Sequence, residues 1–150
     1  MDKYDTARPF IAVFLFLRKD EKIALLLRRN TPWMNNFYGL PGGKVDKEES
    51  FAQAARREVL EELGVKVSSE NDLKYLMTSH RKADDETDSW VDVYFEVEKW
   101  QGEAVNAEPD VHSELAWLDP NDLPENVVPD VRIALEQIAA GKKYFEYNWK

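Results

Sequence analysis

Hydrophobic residues in this chain fall into short runs and spaced stripes that predict alternating strands and helices. The apolar runs at residues 10–17 and 23–27 are typical of buried strands, and a charged turn separates them. From residue 90 to 97, apolar residues alternate with Asp92, Tyr94 and Glu96, which predicts a strand with one buried face. Shorter strands are expected at residues 65–67, 73–79 and 115–118.

Two stretches have the residue pattern of helices. Ser50 and Gln53 can form a capping box at the start of the first helix, and Gly64 is placed to end it. The apolar stripe of this helix is expected to contain Ala52, Ala55, Val59 and Leu63. The second helix is predicted at residues 131–140. Because strands and helices alternate without a linker or repeat, we predict an α/β fold with helices covering a mixed sheet.

The composition favours a single domain that spans residues 1–150. Hydrophobic residues make up 43% of the chain, which is enough for one core. The 20 basic and 29 acidic residues leave a formal net charge of −9. Such a surface repels nucleic acid backbones and anionic membranes, so we expect neither polynucleotide nor membrane binding. The absence of cysteine argues against a thiolate zinc site and agrees with a cytoplasmic location.

Three glutamates of the first predicted helix, Glu58, Glu61 and Glu62, are spaced at i, i+3 and i+4. Side chains at this spacing lie within about 5–6 Å of one another, so their charges repel. They also fall near the end of the helix, where the dipole disfavours each anion by roughly 0.3–1 kcal/mol. Hard divalent cations such as Mg²⁺ take oxygen ligands. The crowding therefore predicts a bound cation, and a solvated acidic face is the alternative interpretation.

A longer pattern surrounds these acids. It reads glycine, five residues, glutamate, seven residues, and then Arg-Glu-aliphatic-x-Glu-Glu-x-Gly-aliphatic. The fixed positions are Gly43, Glu49, Arg57, Glu58, Val59, Glu61, Glu62, Gly64 and Val65. With this motif, which is the Nudix box, the chain resembles the Nudix hydrolases over its whole length. The resemblance implies the α/β/α sandwich with a mixed β-sheet that this family adopts.

The resemblance also implies a reaction, the hydrolysis of a nucleoside diphosphate linked to another group (NDP-X) with Mg²⁺ or Mn²⁺ as cofactor. Carried over to this chain, the helix ligands of the metal are Glu58, Glu61 and Glu62. A backbone carbonyl of Gly42 or Gly43 is expected to join them. Arg57 and Glu49 match the positions that brace these acids, with Glu49 orienting Arg57. The general base varies within the family, and we favour Glu58, with Glu108 as the alternative.

The segment after residue 97 resembles the MutT-like branch, which acts on nucleoside triphosphates. It reads Glu-Lys-Trp-Gln-Gly-Glu and is followed by Glu108, which is expected to approach the metal from the opposite side. The alternative is that Glu103 and Glu108 are surface charges of a loop. By the same resemblance, Asn126 is expected to contact the base. Tyr38 and Phe37 precede the glycine loop and are expected to line the same cleft.

Markers of the other substrate groups are absent. ADP-ribose hydrolases of the family often carry a proline where this chain has His80. We therefore predict a MutT-like enzyme that converts a (deoxy)nucleoside triphosphate into the monophosphate and pyrophosphate, as a monomer or homodimer. The alternatives are an ADP-ribose or nucleotide-sugar pyrophosphatase and, from another class, a non-catalytic nucleotide-sensing Nudix module. An isomerase of this fold would need a cysteine, which the chain lacks.

Overall fold

The computed structural model describes residues 5–84 and 88–149. Its helices are α1 (Phe51–Leu63) and α2 (Pro129–Ala139), with a short 3₁₀ helix at Glu70–Asp72. Its strands are β1 (Phe10–Lys19), β2 (Lys22–Arg28), β3 (Tyr38–Gly39), β4 (Gly42–Lys44), β5 (Leu73–Lys82), β6 (Ser89–Val97), β7 (His112–Leu118) and β8 (Tyr144–Tyr147).

The strands form a mixed sheet in the order β3-β2-β1-β6-β5-β8, with β4 paired to β1 and β7 paired to β2. The pairs β1–β6 and β5–β8 are parallel, and the other pairs are antiparallel. β1 pairs with β4 through Ala12–Phe14 and with β2 only at Arg18 and Lys19. The pairing with β1 therefore holds the two glycines of β4 next to a central strand of the sheet.

A hydrophobic core lies on each face of the sheet, because successive residues of its central strands point in opposite directions. On one face, Val13, Leu15 and Leu17 of β1 pack in the same core as the buried residues of α1. On the other face, Phe16 of β1 and Tyr94 of β6 lie in the core that α2 covers. This α/β/α arrangement around a mixed sheet confirms the predicted fold class.

Some predicted details are wrong. Residues 65–67 do not form a strand and contribute only an isolated bridge between Lys66 and Gln101. β6 is covered on both faces, because Asp92 and Tyr94, expected on the open side, are 1% and 3% exposed. In α1, Ala52 is only partly buried.

The ends of some elements also differ from the prediction. The sequence pattern did not predict strand β8. In the structure, β8 pairs with residues Thr78 to Arg81 of β5. α2 starts at Pro129, which occupies the first turn of the helix, rather than at residue 131. No helix of the described ranges is long and apolar enough to cross a membrane.

Candidate active site

Both ends of α1 are fixed by the capping residues that the sequence pattern predicts. Ser50 Oγ accepts a hydrogen bond from Gln53 N at 3.0 Å, and Gln53 Oε1 accepts one from Ser50 N at 2.8 Å. Gly64 has a left-handed backbone with φ of 69°, and its N–H donates to the Leu60 carbonyl. These caps set the length and position of the helix, and therefore the positions of its glutamates.

The loop between β6 and β7 folds over the carboxyl end of α1. Val105 N donates to the Leu63 carbonyl at 2.9 Å, and Ala107 N donates to the Glu62 carbonyl at 3.0 Å. These bonds satisfy helix carbonyls that have no partner within the helix. As a result, the next residue, Glu108, lies close enough to Glu58 and Glu62 to interact with their charges.

Two glycines let the backbone of β4 contact the acids of α1. Gly42 N donates to Glu62 Oε2 at 3.0 Å. A Cβ atom at Gly43 would lie 2.4 Å from Glu58 Oε1, so a larger residue would displace this carboxylate. Gly42 has φ of 156°, and a Cβ there would lie 2.2 Å from the Val13 carbonyl oxygen. Glycine is therefore required at both positions, because any side chain would prevent the β4 backbone from lying this close to β1 and to the carboxylates of α1.

Arg57 links the acids of the box. Its Nε and Nη2 donate to the two carboxylate oxygens of Glu49 at 2.7 and 2.9 Å. Its Nη1 donates to Glu58 at 2.8 Å and to Glu61 at 3.3 Å, and Nη2 also reaches the Lys44 carbonyl at 3.1 Å. The hydrogen bonds from Arg57 lower the pKa of Glu49 to about 2. Glu49 therefore anchors the guanidinium, which in turn fixes Glu58 and Glu61.

Burial disfavours the negative charges of two helix glutamates. Glu58 and Glu62 are 8% and 9% exposed. Burial raises the pKa of the Glu62 carboxyl well above its usual range, and repulsion from Glu58 and Glu108 adds to this effect. Burial also raises the pKa of Glu58, against the opposing contact with Arg57. The cluster thus holds carboxyl groups whose ionised forms are destabilised by burial and by one another.

These residues form an incomplete but suitable set of donors for a divalent cation. Glu61 differs from the other two helix glutamates, because its side chain is 49% exposed. Within residues 5–84 and 88–149, no group of three carboxylates or imidazoles has a geometry that could hold a metal ion. The donor chemistry nevertheless fits a hard cation, since two buried carboxylates, Glu58 and Glu62, lie against the glycine backbone of β4. Metal binding and catalysis by the box residues and Glu108 remain predictions.

The residues expected to bind the base are neighbours, and each makes an internal contact. The Asn126 side-chain amide donates to the Asn36 carbonyl at 2.9 Å, while its own carbonyl accepts from Tyr38 N at 2.8 Å. The Tyr38 hydroxyl donates to Glu114. Phe37 is partly buried against the core on the α2 face. Base binding by Asn126, Tyr38 and Phe37 remains a prediction.

Two residues that the motifs do not indicate, Arg28 and His112, also lie beside the acids. They are partners across β2 and β7. His112 is 8% exposed, and its Nδ1 has no hydrogen-bond partner among the described residues. Its pKa is lowered by burial and, to a smaller extent, by the charge of Arg28. The position of Arg28 could have been predicted from the alternation of side chains along β2. Arg28 follows Ala24 and Leu26 at every second position, and those two residues face α1.

Comparison with known proteins decides the family. The NUDIX domain family matches residues 7–138, which include the whole box and both helices except the last residue of α2. The chain belongs to the Nudix family. In this Nudix hydrolase, the box residues lie in β4, in the loop that follows it and in α1, and the end of the box follows α1.

Three relatives show where the similarity is strong and where it is partial. A MutT NUDIX hydrolase from Burkholderia pseudomallei is 32% identical, covering 87% of this chain and 98% of its own, with a TM-score of 0.77. A MutT protein from Methanosarcina mazei Go1 shares the fold at 20% identity, covering 90% and 96% of the two chains, with a TM-score of 0.74. An ADP-ribose pyrophosphatase from Methanocaldococcus jannaschii is 42% identical over 57 residues. That match covers 38% of this chain and only 33% of the relative.

Proposed function

We propose that this Nudix hydrolase cleaves the phosphoanhydride bond of an NDP-X substrate and that it prefers a (deoxy)nucleoside triphosphate. The observation that carries the proposal is the packing of the buried Glu58 and Glu62 carboxylates against the backbone of β4, with Glu108 close enough to interact with both. Such a cluster is stabilised by a hard cation, and cations of this kind accompany phosphate chains. The proposed products are the nucleoside monophosphate and pyrophosphate.

The proposed cofactor is Mg²⁺, with Mn²⁺ as a substitute, and it would supply the positive charge that stabilises the phosphate oxygens during cleavage. Glu58, Glu61 and Glu62 would hold the ion, with the Gly43 carbonyl and Glu108 as further ligands. Arg57 keeps Glu58 and Glu61 on one side of the helix, and the hydrogen bonds to Glu49 keep the guanidinium in place.

Glu58 is the proposed general base for the attacking water. Its carboxylate is buried and its pKa is raised, and both properties favour the uptake of a proton from water. Glu108 is the alternative, because it reaches the same acids from the β6–β7 loop. Glutamine substitutions at the two positions distinguish them when turnover is compared at metal concentrations that saturate both variants: the base variant should keep a large loss of kcat, and the variant that lost only a ligand should recover most of it.

A second candidate substrate is ADP-ribose or a nucleotide sugar. The partial relative from Methanocaldococcus jannaschii, named an ADP-ribose pyrophosphatase, supports this candidate. The relative from Burkholderia pseudomallei, named a MutT NUDIX hydrolase, covers far more of the chain and supports the triphosphate. We therefore give the triphosphate precedence.

The remaining features of the proposal follow from charge and composition. The net charge of −9 supports a small nucleotide as the partner and argues against polynucleotide binding. A cytoplasmic location, a single domain and a monomer or homodimer stay predictions. A non-catalytic nucleotide-sensing module would be expected to lack a box carboxylate, and this chain retains them all.

The test is a substrate panel with purified protein and Mg²⁺ or Mn²⁺. Nucleoside triphosphates, ADP-ribose, nucleotide sugars and dinucleoside polyphosphates are compared by the release of phosphate or pyrophosphate. The proposal expects the highest kcat/KM for a triphosphate, with pyrophosphate as a product. Preference for ADP-ribose would support the second candidate, and failure to cleave any of these compounds would overturn the proposed function.

A further inference from the structure

Asn106 lies in the β6–β7 loop, two residues before Glu108, and its side-chain amide connects two parts of that loop. The proposed function places Glu108 beside the metal. Resting on that function, we propose that Asn106 is a positioning residue that holds Glu108 within reach of the box carboxylates. In this role Asn106 acts through Glu108 and binds neither the metal nor the substrate. It lies outside the nine box positions, so the motif does not assign it.

Both polar groups of the Asn106 amide are used within the loop. Its Nδ2 donates to the His112 carbonyl at 2.8 Å, and its Oδ1 accepts a hydrogen bond from Glu108 N at 3.3 Å. The carbonyl of Glu108 in turn accepts from Val111 N at 3.1 Å and His112 N at 3.0 Å. The backbone of Glu108 is therefore bound at its N–H and at its carbonyl, and the amide of Asn106 ties both sides of this turn together.

The residues on either side of Asn106 are bound to the helix that carries the box. Val105 N and Ala107 N donate to carbonyls of the last turn of α1 at 2.9 and 3.0 Å. The backbone of Asn106 is thus fixed relative to α1, and its side chain is partly buried. The amide therefore transmits the position of the helix to Glu108, which lies one residue beyond the last of these bonds.

The carboxylate of Glu108 needs such support. Its charge interacts unfavourably with Glu58 and Glu62, so without a cation the repulsion pushes it away from the cluster. The hydrogen bonds and ion pairs formed among residues 5–84 and 88–149 give this carboxylate no partner. Its place is consequently set through the backbone, where Asn106 supplies the side-chain contact.

The experiment is a double-mutant cycle of Asn106→Ala and Glu108→Gln in the full chain. Mn²⁺ binding without nucleotide is measured by the EPR signal of the free ion, and kcat/KM is measured on the best substrate of the panel. Asn106→Ala should weaken Mn²⁺ binding by about 3- to 10-fold, the range for the loss of a hydrogen bond. In the Glu108→Gln background the same substitution should change the affinity less than about twofold, because the carboxylate that it positions is already gone.

Two further variants separate positioning from general support of the loop. Val105→Ala is the matched control, since it shortens an exposed side chain of the same loop but keeps the N–H bond to α1. Its Mn²⁺ affinity should stay within about twofold of wild type. Asn106→Ser keeps a shorter acceptor for Glu108 N, so it should retain more affinity than Asn106→Ala, and it serves if the alanine variant does not fold.

Hydrogen exchange without metal gives a readout that is independent of the ion. Asn106→Ala should speed the exchange of the Glu108 and His112 N–H groups while α1 keeps its protection. Equal losses of Mn²⁺ affinity from Asn106→Ala in the wild-type and Glu108→Gln backgrounds would overturn the inference, as would unchanged affinity in folded Asn106→Ala and Asn106→Ser. Wild-type protein that neither binds Mn²⁺ nor cleaves any compound of the panel would instead overturn the proposed function.

Discussion

Two regions of this molecule bury acidic side chains, and they differ in how the charge is balanced. On the α2 face, Asp92 accepts from Arg81 Nε at 2.8 Å and Nη2 at 3.2 Å, and from Ser79 at 3.1 Å. Asp130 of α2 lies 3.7 Å from the same arginine. On the α1 face, Glu58 and Glu62 are buried beside each other, and the nearby Arg57 is shared among several acids.

The difference shows that a buried carboxylate is not by itself a sign of a functional site. Asp92 accepts two hydrogen bonds from Arg81, which makes only a longer contact with Asp130, and this is a structural arrangement. The Glu58–Glu62 pair lacks an equivalent partner, and burial, with added repulsion between acids, raises the pKa values of both groups. We expect substitutions on the α2 face to change stability and substitutions on the α1 face to change activity.

The largest expected effect is on catalysis in the α1 cluster. Glu58→Gln should lower kcat roughly thousandfold, because it removes a proposed ligand and the proposed base. The metal-free protein should keep its free energy of unfolding to within about 1 kcal/mol, since the lost ion pair is offset by removal of a buried charge. Enzyme kinetics and urea unfolding check both parts. Glu103→Gln, an exposed loop substitution, is the control and should retain full activity.

The second prediction concerns the paired acid of the α2 face. Asp92→Asn should lower the free energy of unfolding by about 3 kcal/mol, because it leaves Arg81 buried with a weakened partner. Activity per folded molecule should not change. Urea unfolding and kinetics below the unfolding transition test this contrast. A large loss of kcat in a fully folded Asp92→Asn protein would contradict the structural assignment of this cluster.

The third prediction uses the metal to separate the two regions. Mg²⁺ should raise the melting temperature of the wild-type protein, with a gain of about 2.7 kcal/mol at a concentration of 100 times Kd. The gain should persist in Asp92→Asn and disappear in Glu62→Gln, which removes a proposed ligand. Differential scanning calorimetry with and without Mg²⁺ measures it. A gain of the same size in Glu62→Gln would place the metal elsewhere.

The smallest effect is a pH dependence on the α2 face. Burial raises the pKa of Asp130 in the folded state, so the wild-type protein loses stability as pH rises from the unfolded pKa through the folded pKa. Asp130→Asn lacks this titration. Its unfolding free energy relative to wild type should therefore increase from pH 4 to pH 7, as measured by urea unfolding. A flat or falling difference would show that the Asp130 pKa is not raised.

Part of the site could be read from the sequence because its pattern is local. The capping box, the terminating Gly64 and the spacing of Glu58, Glu61 and Glu62 all lie within one helix. The contact of Arg57 with Glu49 also follows from short separation along the chain. The burial of Asp92 could not be predicted from the sequence. Polar and apolar residues alternate along β6 as they do in a strand with one exposed face, and the helix that covers Asp92, α2, lies far along the chain.

The family, the fold class and the residues of the box follow from the sequence alone, because fixed spacing on one helix sets which side chains share a face. Which of those acids are buried depends on tertiary packing, since Glu58 and Glu62 face the sheet while Glu61 lies half exposed at the edge. Tertiary packing also brings Arg28, His112 and Glu108 to the same place from separate strands and loops. Such contacts depend on strand pairing between distant segments, which no local pattern encodes.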